Sequence, residues 1–309
     1  MALTSGLSPN VVKTALDKVF YGEFDYPTMP GMATARSQAF IQDTAENQAV
    51  IVKQFSVPGY FDERSERQNI AEKTPLVGNQ KTFSINNFAQ SVNIPKRFFD
   101  DEQHSVVERL VNRMGRNGRL SQDKNAFNRY NLGFTTELSN DGVALFSNSH
   151  TTLSGDTVDN LETGALSPSK LDAAVVSRAE QLTQDGTLGG FEPYCLLVPP
   201  ALFKEAQEIT KSELASGTAD NDMNYFSQVY PGLMVKQSPF LGASQGGSDT
   251  AWFLMSRNHS MYRWERQGIV TDVVDYKFSS ANEYVYKAEY RETTGSISYE
   301  GMVGSTGAA

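Results

Sequence analysis

The chain has 309 residues, of which 39% are hydrophobic, so it can form a core within one large domain or two ordinary ones. Its 27 Lys plus Arg against 36 Asp plus Glu give a formal charge of -9, which argues against a dedicated nucleic-acid binder with a broad basic surface. No apolar run resembles a signal peptide or reaches the length of a membrane span, so we expect synthesis in the cytoplasm and no membrane partner.

The first 49 residues have the character of an arm. Residues 9–20 predict one short helix with Val12, Ala15 and Val19 on one face, and a segment containing Pro and Gly around residues 27–31 interrupts it. The apolar face of such a helix needs another surface to lie on.

A hairpin with a charged tip is predicted next. Apolar residues at near-strand spacing between Phe83 and Ile94 predict a strand with one solvated face, and residues 50–57 can form the returning strand. A connection as long as residues 62–73 usually binds a partner or is disordered. We therefore expect a partner-binding arm, whose candidate interface residues are Asp62, Glu63, Arg64, Glu66, Arg67, Glu72 and Lys73.

A long basic helix is predicted to start near residues 100–102 and, if it is continuous, to reach about Gly133. Its apolar residues recur at steps of three, four and seven, and Asp100, Asp101 and Glu102 lie near its start, where the helix dipole favours negative charge. Gly115 and Gly118 each weaken its middle by about 1 kcal/mol relative to alanine, so we expect a kink or a break there.

Three arginines share one face of this helix: Arg109, Arg113 and Arg116. Two interpretations stay open. The arginines either extend from a solvated face, or they contact acidic neighbouring subunits or the phosphates of nucleic acid.

The second half of the chain predicts short elements of both kinds. Residues 139–166 are rich in polar turn formers, with one credible strand at 143–146. Ser167 and Pro168 are typical of a helix start, and strands at 195–198, 233–235 and 252–255 alternate with helices after 168 and from 201 to about 214. Near the end, Tyr284, Tyr286 and Tyr290 alternate with charged residues, which indicates a half-buried strand whose tyrosines pack in a core or an interface. Ile297, Tyr299 and Val303 are expected to continue this strand past Gly295 as a ladder or hairpin.

No arrangement of residues indicates catalysis, a cofactor or a metal site. The three histidines, His104, His150 and His259, lie far apart, and Asp220-Asn221-Asp222 lacks the glycine and glutamate of a calcium loop. The single cysteine, Cys195, lies in an apolar run and is expected to be a buried structural thiol. A serine triad built from distant positions stays open, but nothing distinguishes one serine from the others.

Four strings in order carry a resemblance to a known family: ALFSNSH from Ala144, LETGALSPSK from Leu161, LLVPPALF from Leu196, and YVYKAEYRETTGSISYEGMVGS from Tyr284. Together with the order of the elements, they resemble the major capsid proteins of tailed bacteriophages with the Hong Kong 97 fold, and are most similar to the Mu-like major head subunits. The resemblance covers most of the chain from about residue 50.

The resemblance implies an α+β fold with four parts. These are an N-terminal arm at 1–49, an extended loop at 50–95, a peripheral domain at 96–166 and 270–309 built on the long spine helix, and an α/β axial domain at 167–269. The arm and the loop would then lie on neighbouring subunits, which explains why neither could bury itself alone.

The implied function is a major capsid protein that assembles into hexamers and pentamers of an icosahedral shell around double-stranded DNA. Implied partners are the protein itself, a portal protein, a separate scaffolding protein and loose contact with packaged DNA, with a decoration protein left open. The resemblance implies that the protein is located in the virion, as part of the capsid, after synthesis in the cytoplasm of the bacterial host. Two alternatives remain, an encapsulin-type nanocompartment shell and a soluble hydrolase whose 167–269 unit carries the site.

Overall fold

A computed structural model of the chain describes residues 9–25, 35–57, 59–70, 72–101, 104–213, 223–275 and 283–308. Within these residues the helices are α1 (Pro9–Phe24), α2 (Ala35–Ala39), α3 (Arg97–Asp100), α4 (His104–Leu132), α5 (Pro168–Ala179), α6 (Pro200–Lys211) and α7 (Tyr225–Val229). The strands are β1 (Ile41–Thr44), β2 (Ala49–Ser56), β3 (Leu76–Ser84), β4 (Asn86–Pro95), β5 (His150–Thr151), β6 (Thr157–Val158), β7 (Leu161–Glu162), β8 (Pro193–Val198), β9 (Met234–Gln237), β10 (Trp252–Ser256), β11 (Met261–Asp275), β12 (Glu283–Ser296) and β13 (Met302–Ser305).

Two main sheets organise the fold, which confirms the α+β class. The four-stranded sheet has the order β1-β11-β12-β4, in which β1 is parallel to β11 and the other pairs are antiparallel. The five-stranded sheet has the order β7-β13-β10-β8-β9. Buried side chains of α4, including Phe127 and Tyr130, pack against Phe253 and Met255 of the second sheet.

The spine helix α4 is one uninterrupted helix of 29 residues, so the predicted break is wrong. It begins at His104, after the separate turn α3 and close to the predicted start near residues 100–102, and Glu102 lies outside the described residues. Gly115 has a packing role instead, because a Cβ atom there would lie 2.4 Å from the backbone oxygen of Phe20 in α1. The glycine thus lets the two helices cross closely.

The helix α1 is buried against the protein's own core. Val12, Leu16 and Phe20 follow one another at steps of four and pack with residues of α4 and with Tyr286 of β12. Ala15 and Val19, which the sequence placed on the same face as Val12, are only partly buried. The expectation that this helix needs a neighbouring subunit is therefore wrong, because α4 and the four-stranded sheet supply its partner surface. The interruption predicted around residues 27–31 lies outside the described residues.

The predicted hairpin exists, but its second strand is shorter than expected. β2 pairs antiparallel with β3, with Val50 opposite Phe83 and Val52 opposite Lys81. Residues 86–95 form the separate strand β4, which pairs with β12 at the edge of the four-stranded sheet. The apolar positions change from odd numbers at Phe83 to even numbers at Ile94, and a single regular strand cannot keep both on one face.

The elements predicted between residues 167 and 255 are found in type and place. Ser167 caps α5 by accepting a hydrogen bond from the backbone N–H of Lys170, at 3.3 Å, and β8, α6, β9 and β10 follow. Helix α6 ends at Lys211, and residues 214–222, including the acidic run at 220–222, lie outside the described residues.

Two local predictions are wrong. Residues 143–146 form a turn with one bridge between Leu138 and Ala144, because Leu145 and Phe146 bury their side chains at the turn instead of extending as a strand. The last strand, β13, pairs with β10 in the five-stranded sheet and does not continue the sheet of β12. The division into four named domains stays a prediction.

The tyrosine strand is confirmed in β12. Tyr284, Tyr286 and Tyr290 are buried, and the hydroxyls of Tyr290 and Ser121 lie 2.8 Å apart, which ties the strand to α4. These tyrosines are core residues.

Candidate functional site

The hairpin β2–β3 is the most exposed feature of the described chain, and its two faces differ. Its inner face packs on the protein itself, where the ring of Phe83 lies 4.6 Å from that of Trp264. Gly295 makes room for this contact, since a Cβ atom there would lie 2.5 Å from the Phe83 ring.

The outer face of the hairpin carries apolar side chains in contact with solvent. Ile51 and Phe55 of β2, and Val57 just after it, are 59–65% exposed, and Val77 lies opposite Phe55 in the register. We call Ile51, Phe55, Val57 and Val77 the outer apolar face. Monomeric proteins rarely expose contiguous apolar side chains, so such a patch marks an interaction surface.

The sequence analysis missed this face. Val50 and Val52 point inward while Ile51 and Phe55 point outward, so β2 is apolar on both faces. A strand that is apolar on both faces is typically covered on both sides. The pattern AVIVKQFSV, without strict alternation, was the signal available in the sequence.

The tip holds the predicted charged residues. Four of them, Asp62, Glu63, Arg64 and Lys73, surround an open hollow of about 430 Å³ together with Val57, Phe61 and Ile70. Lys73 Nζ lies 3.5 Å from Asp62 Oδ2 and also donates to the backbone oxygen of Tyr60. Glu66, Arg67 and Glu72 are exposed nearby in the chain. The structure thus places all seven at the surface, and their contact with a partner stays a prediction.

Arg109, Arg113 and Arg116 share an exposed face of α4, as predicted. They lie opposite the face formed by Val107, Val111 and Met114, which packs on α1. Arg109 Nε donates to the backbone oxygen of Ser105 at 3.0 Å. This geometry is compatible with both interpretations of the stripe.

Cys195 and His150, two residues that could serve chemistry, are buried. Desolvation raises the pKa of Cys195 to about 12, so this thiol is a poor nucleophile, as expected from the sequence. His150 is buried, with Nδ1 2.7 Å from Asp141 Oδ2 and Nε2 3.1 Å from the oxygen of Leu145. Among the described residues, no group of three or more His, Cys, Asp and Glu side chains could hold a metal ion.

The hydrolase alternative would need a catalytic cleft in the 167–269 unit. A surface hollow of about 390 Å³ lies at α6 beside the start of α5, lined by Pro168, Ala201, Lys204, Glu205, Glu208 and Ile209. Its lining lacks a serine, cysteine or histidine, and Lys204 and Glu208 form an exposed pair 3.6 Å apart. This hollow therefore does not support nucleophilic catalysis.

Within the part of the chain that the structure describes, each helix is either too short or too polar to cross a bilayer.

Comparison with known proteins agrees with the resemblance found in the sequence. A family model described as phage capsid protein matches residues 80–303. A search of curated proteins finds no match.

The fold is that of solved capsid structures. The capsid of Cyanophage P-SCSP1u has a TM-score of 0.54 at 12% identity, over 91% of this chain and 90% of that one. The capsid of Myoviridae phage XM1 has a TM-score of 0.53 at 9% identity, over 90% and 93%. The virus-like particle from Pyrococcus furiosus has a TM-score of 0.53 at 9% identity, over 96% and 97%. The Hong Kong 97-like fold is confirmed, and the closer similarity to Mu-like head subunits stays a prediction.

Proposed function

Because the chain belongs to the phage capsid protein family and is a major capsid protein of the virion, we propose that many copies of it close into an icosahedral shell of pentamers and hexamers around double-stranded DNA. Its role is structural. Assembly, rather than turnover, is its mechanism.

The outer apolar face is the observation that carries this proposal. Ile51, Phe55, Val57 and Val77 are all 59–65% exposed on the β2–β3 hairpin. Moving an exposed side chain of this kind to full burial is favourable by about 1.5–3 kcal/mol. A neighbouring copy that covers the outer apolar face would therefore stabilise the contact between the two subunits. A contact between two different surfaces of identical copies repeats around a ring, which is how closed shells are built.

The charged tip completes the interface as its rim. Interfaces combine an apolar centre with a polar, solvated border. Asp62, Glu63, Arg64 and Lys73 adjoin exposed Phe61 and Ile70, which fits such a border. Glu66, Arg67 and Glu72 extend it along the tip. Mutations of these charges are therefore expected to alter association less than mutations of the outer apolar face.

The other partners follow from the role of the protein. A portal protein and a separate scaffolding protein belong to this proposal, as does loose contact of α4 arginines with packaged DNA, while a decoration protein stays open. An encapsulin-type shell is the second candidate, because the fold likeness to the Pyrococcus furiosus particle equals that to the phage XM1 capsid. Double-stranded DNA in purified particles supports the phage shell, and an enzyme cargo in its place supports the compartment.

Electron microscopy at several protein concentrations tests the proposal. The wild type is expected to form shells, tubes or capsomer rings. The double variant Ile51→Thr, Phe55→Thr keeps β propensity but removes apolar surface, and it is expected to remain small with an unchanged thermal unfolding curve.

Lys53→Thr is the matched control, because Lys53 is exposed on the same strand between the two mutated positions. It is expected to assemble like the wild type. If the double variant assembles as well as this control, the outer apolar face is not the interface. If the wild type stays monomeric even when it is produced together with the scaffolding protein, the shell proposal is wrong.

A further inference from the structure

A buried carboxylate at the base of the hairpin joins three parts of the fold. Glu137, which follows α4, is 6% exposed. Its Oε2 lies 3.0 Å from Arg129 Nη1 of α4, and its Oε1 accepts the backbone N–H of Ser296 at the end of β12, at 3.3 Å. Its third partner comes from the hairpin, since Lys81 Nζ of β3 lies 3.6 Å from Oε1.

Lys81 makes two further contacts with the body of the protein. Its ammonium group donates to the backbone oxygen of Leu138 at 2.5 Å and to that of Ser296 at 2.6 Å. An ammonium group has three donors, so two of them serve these oxygens while its charge pairs with Glu137. We call Lys81, Arg129, Glu137 and Ser296 the hairpin network.

The other contacts between hairpin and body are apolar contacts and neutral hydrogen bonds. Along the strands, Asn79 Nδ2 donates to the backbone oxygen of Asn140 at 3.0 Å, and Asn140 Nδ2 donates to Gln54 Oε1. At the base, Phe83 packs on Trp264, and apolar contact of this sort has little directional preference. At the tip, two hydrogen bonds between exposed segments hold the hairpin, from Gly59 N–H to the oxygen of Asp185 at 3.4 Å and from Leu188 N–H to the hydroxyl of Tyr60 at 3.0 Å. Hydrogen bonds in contact with water contribute little and open easily.

The hairpin network lies between these two regions. Its Glu137 carboxylate is buried, whereas Lys81 and Arg129 are partly exposed, and its charged groups distinguish it from the neutral contacts. Charge-assisted hydrogen bonds are about twice as strong as neutral ones, and they weaken steeply when their geometry is lost. The hairpin network therefore resists changes in the inclination of the hairpin that the Phe83 contact would tolerate.

We propose that the ion pair of Lys81 with Glu137 is a positioning element that fixes the inclination of the β2–β3 hairpin against the body. This inference rests on the proposed shell. Because the outer apolar face binds the neighbouring copy, the inclination sets the angle between adjacent subunits, and a fixed angle gives shells of uniform size.

Lys81→Met tests the positioning role, because it removes the ammonium group and keeps a chain of similar length. Lys53→Met is the matched control, with the same chemical change on the exposed face of the partner strand. Glu137→Gln is a second variant that keeps an acceptor for Ser296 but removes the negative charge.

The first readout is a distance within one copy. Spin labels are placed on cysteines at Ser65 in the tip and at Lys204 in α6, in a Cys195→Ala background, and labelled protein is diluted with unlabelled protein. Both label positions are exposed. The distribution of distances is expected to be about twofold broader in Lys81→Met than in Lys53→Met, with Glu137→Gln between them. A cooperative thermal transition in each variant shows that the body is folded.

The second readout is the diameter of assembled particles by electron microscopy. The wild type and Lys53→Met are expected to give one narrow size class, and Lys81→Met a spread of sizes with open or irregular shells. Equal distance distributions in Lys81→Met and Lys53→Met overturn the positioning role, as does a broadened distribution with unchanged shell size. If the wild type does not assemble at all, the shell proposal is wrong. The distance measurement still decides whether the hairpin network positions the hairpin.

Discussion

His259 illustrates how burial fixes the charge of a single residue. It is 3% exposed, and its Nδ1 accepts the backbone N–H of Met261 at 3.2 Å. Desolvation disfavours the imidazolium form and lowers the pKa of His259 to about 4. The folded protein therefore holds this histidine neutral at every pH above that value.

The lowered pKa predicts a loss of stability in acid. Unfolded histidine has a pKa of about 6.5, so between pH 6.5 and pH 4 the unfolded state binds a proton that the folded state does not. The contribution is fully present above pH 6.5, and its loss lowers the free energy of unfolding by about 3 kcal/mol by pH 4.

His259→Asn isolates this effect, because asparagine does not titrate. Urea unfolding followed by tryptophan fluorescence at several pH values between 7.5 and 4.5 measures the free energy of unfolding of both proteins. The variant is expected to be less stable at pH 7.5, with a deficit that shrinks as the pH falls. A deficit that stays constant over this range contradicts the assignment of His259 as the titrating group.

At the scale of elements, the crossing of α1 over α4 depends on one glycine. A Cβ atom at Gly115 would lie 2.4 Å from the backbone oxygen of Phe20. Because this neighbour is a backbone atom, the clash could not be removed by rotating a flexible side chain. The glycine lowers helix propensity but allows Leu16 and Phe20 to bury against α4. Packing thus overrides the local preference that suggested a break.

Gly115→Ala and Gly22→Ala are expected to change stability in opposite directions. The first gains helix propensity but forces the helices apart, for a net loss of about 1–2 kcal/mol. The second adds a methyl group to α1 where nothing lies within 4 Å, for a gain of about 0.5–1 kcal/mol. Urea midpoints of the two variants measure these changes, and equal shifts in both would show that the crossing does not need the glycine.

At the scale of the whole molecule, the net charge limits affinity for DNA. The formal charge is -9, and the basic stripe of Arg109, Arg113 and Arg116 is a local exception on α4. Binding to phosphates releases counterions, so affinity grows with the number of phosphates neutralised. A shell subunit that bound DNA tightly would hinder packaging and release.

We expect weak binding of the isolated subunit to duplex DNA, with a dissociation constant no tighter than about 10⁻⁵ M at physiological salt. Replacing Arg109, Arg113 and Arg116 with Gln is expected to reduce the slope of log affinity against log salt by up to about three. Fluorescence anisotropy of a labelled duplex across salt concentrations measures both. Arg64→Gln with Arg67→Gln at the hairpin tip is the control and should leave the slope unchanged. Submicromolar binding with a steep slope would contradict a loose contact.

Local patterns were sufficient for much of the second half of the chain. The cap at Ser167, the apolar run around Cys195 and the alternation of the tyrosines from Tyr284 predicted α5, β8 and β12 correctly. These signals arise from residues a few positions apart, which share a helix face or a strand face. The charged hairpin tip was likewise recognisable, although its contacts were not.

The sequence by itself determined the types of most elements, the buried thiol and, through the resemblance, the capsid fold. Only the tertiary structure decided that β4 and β13 join different sheets, that α1 packs on its own chain and that β2 exposes an apolar face. The hairpin network was also decided by the tertiary structure, since Lys81 and Ser296 are 215 positions apart in the sequence. Periodicity reports which residues share a face, but the partner of that face is set by long-range packing, which no local pattern encodes.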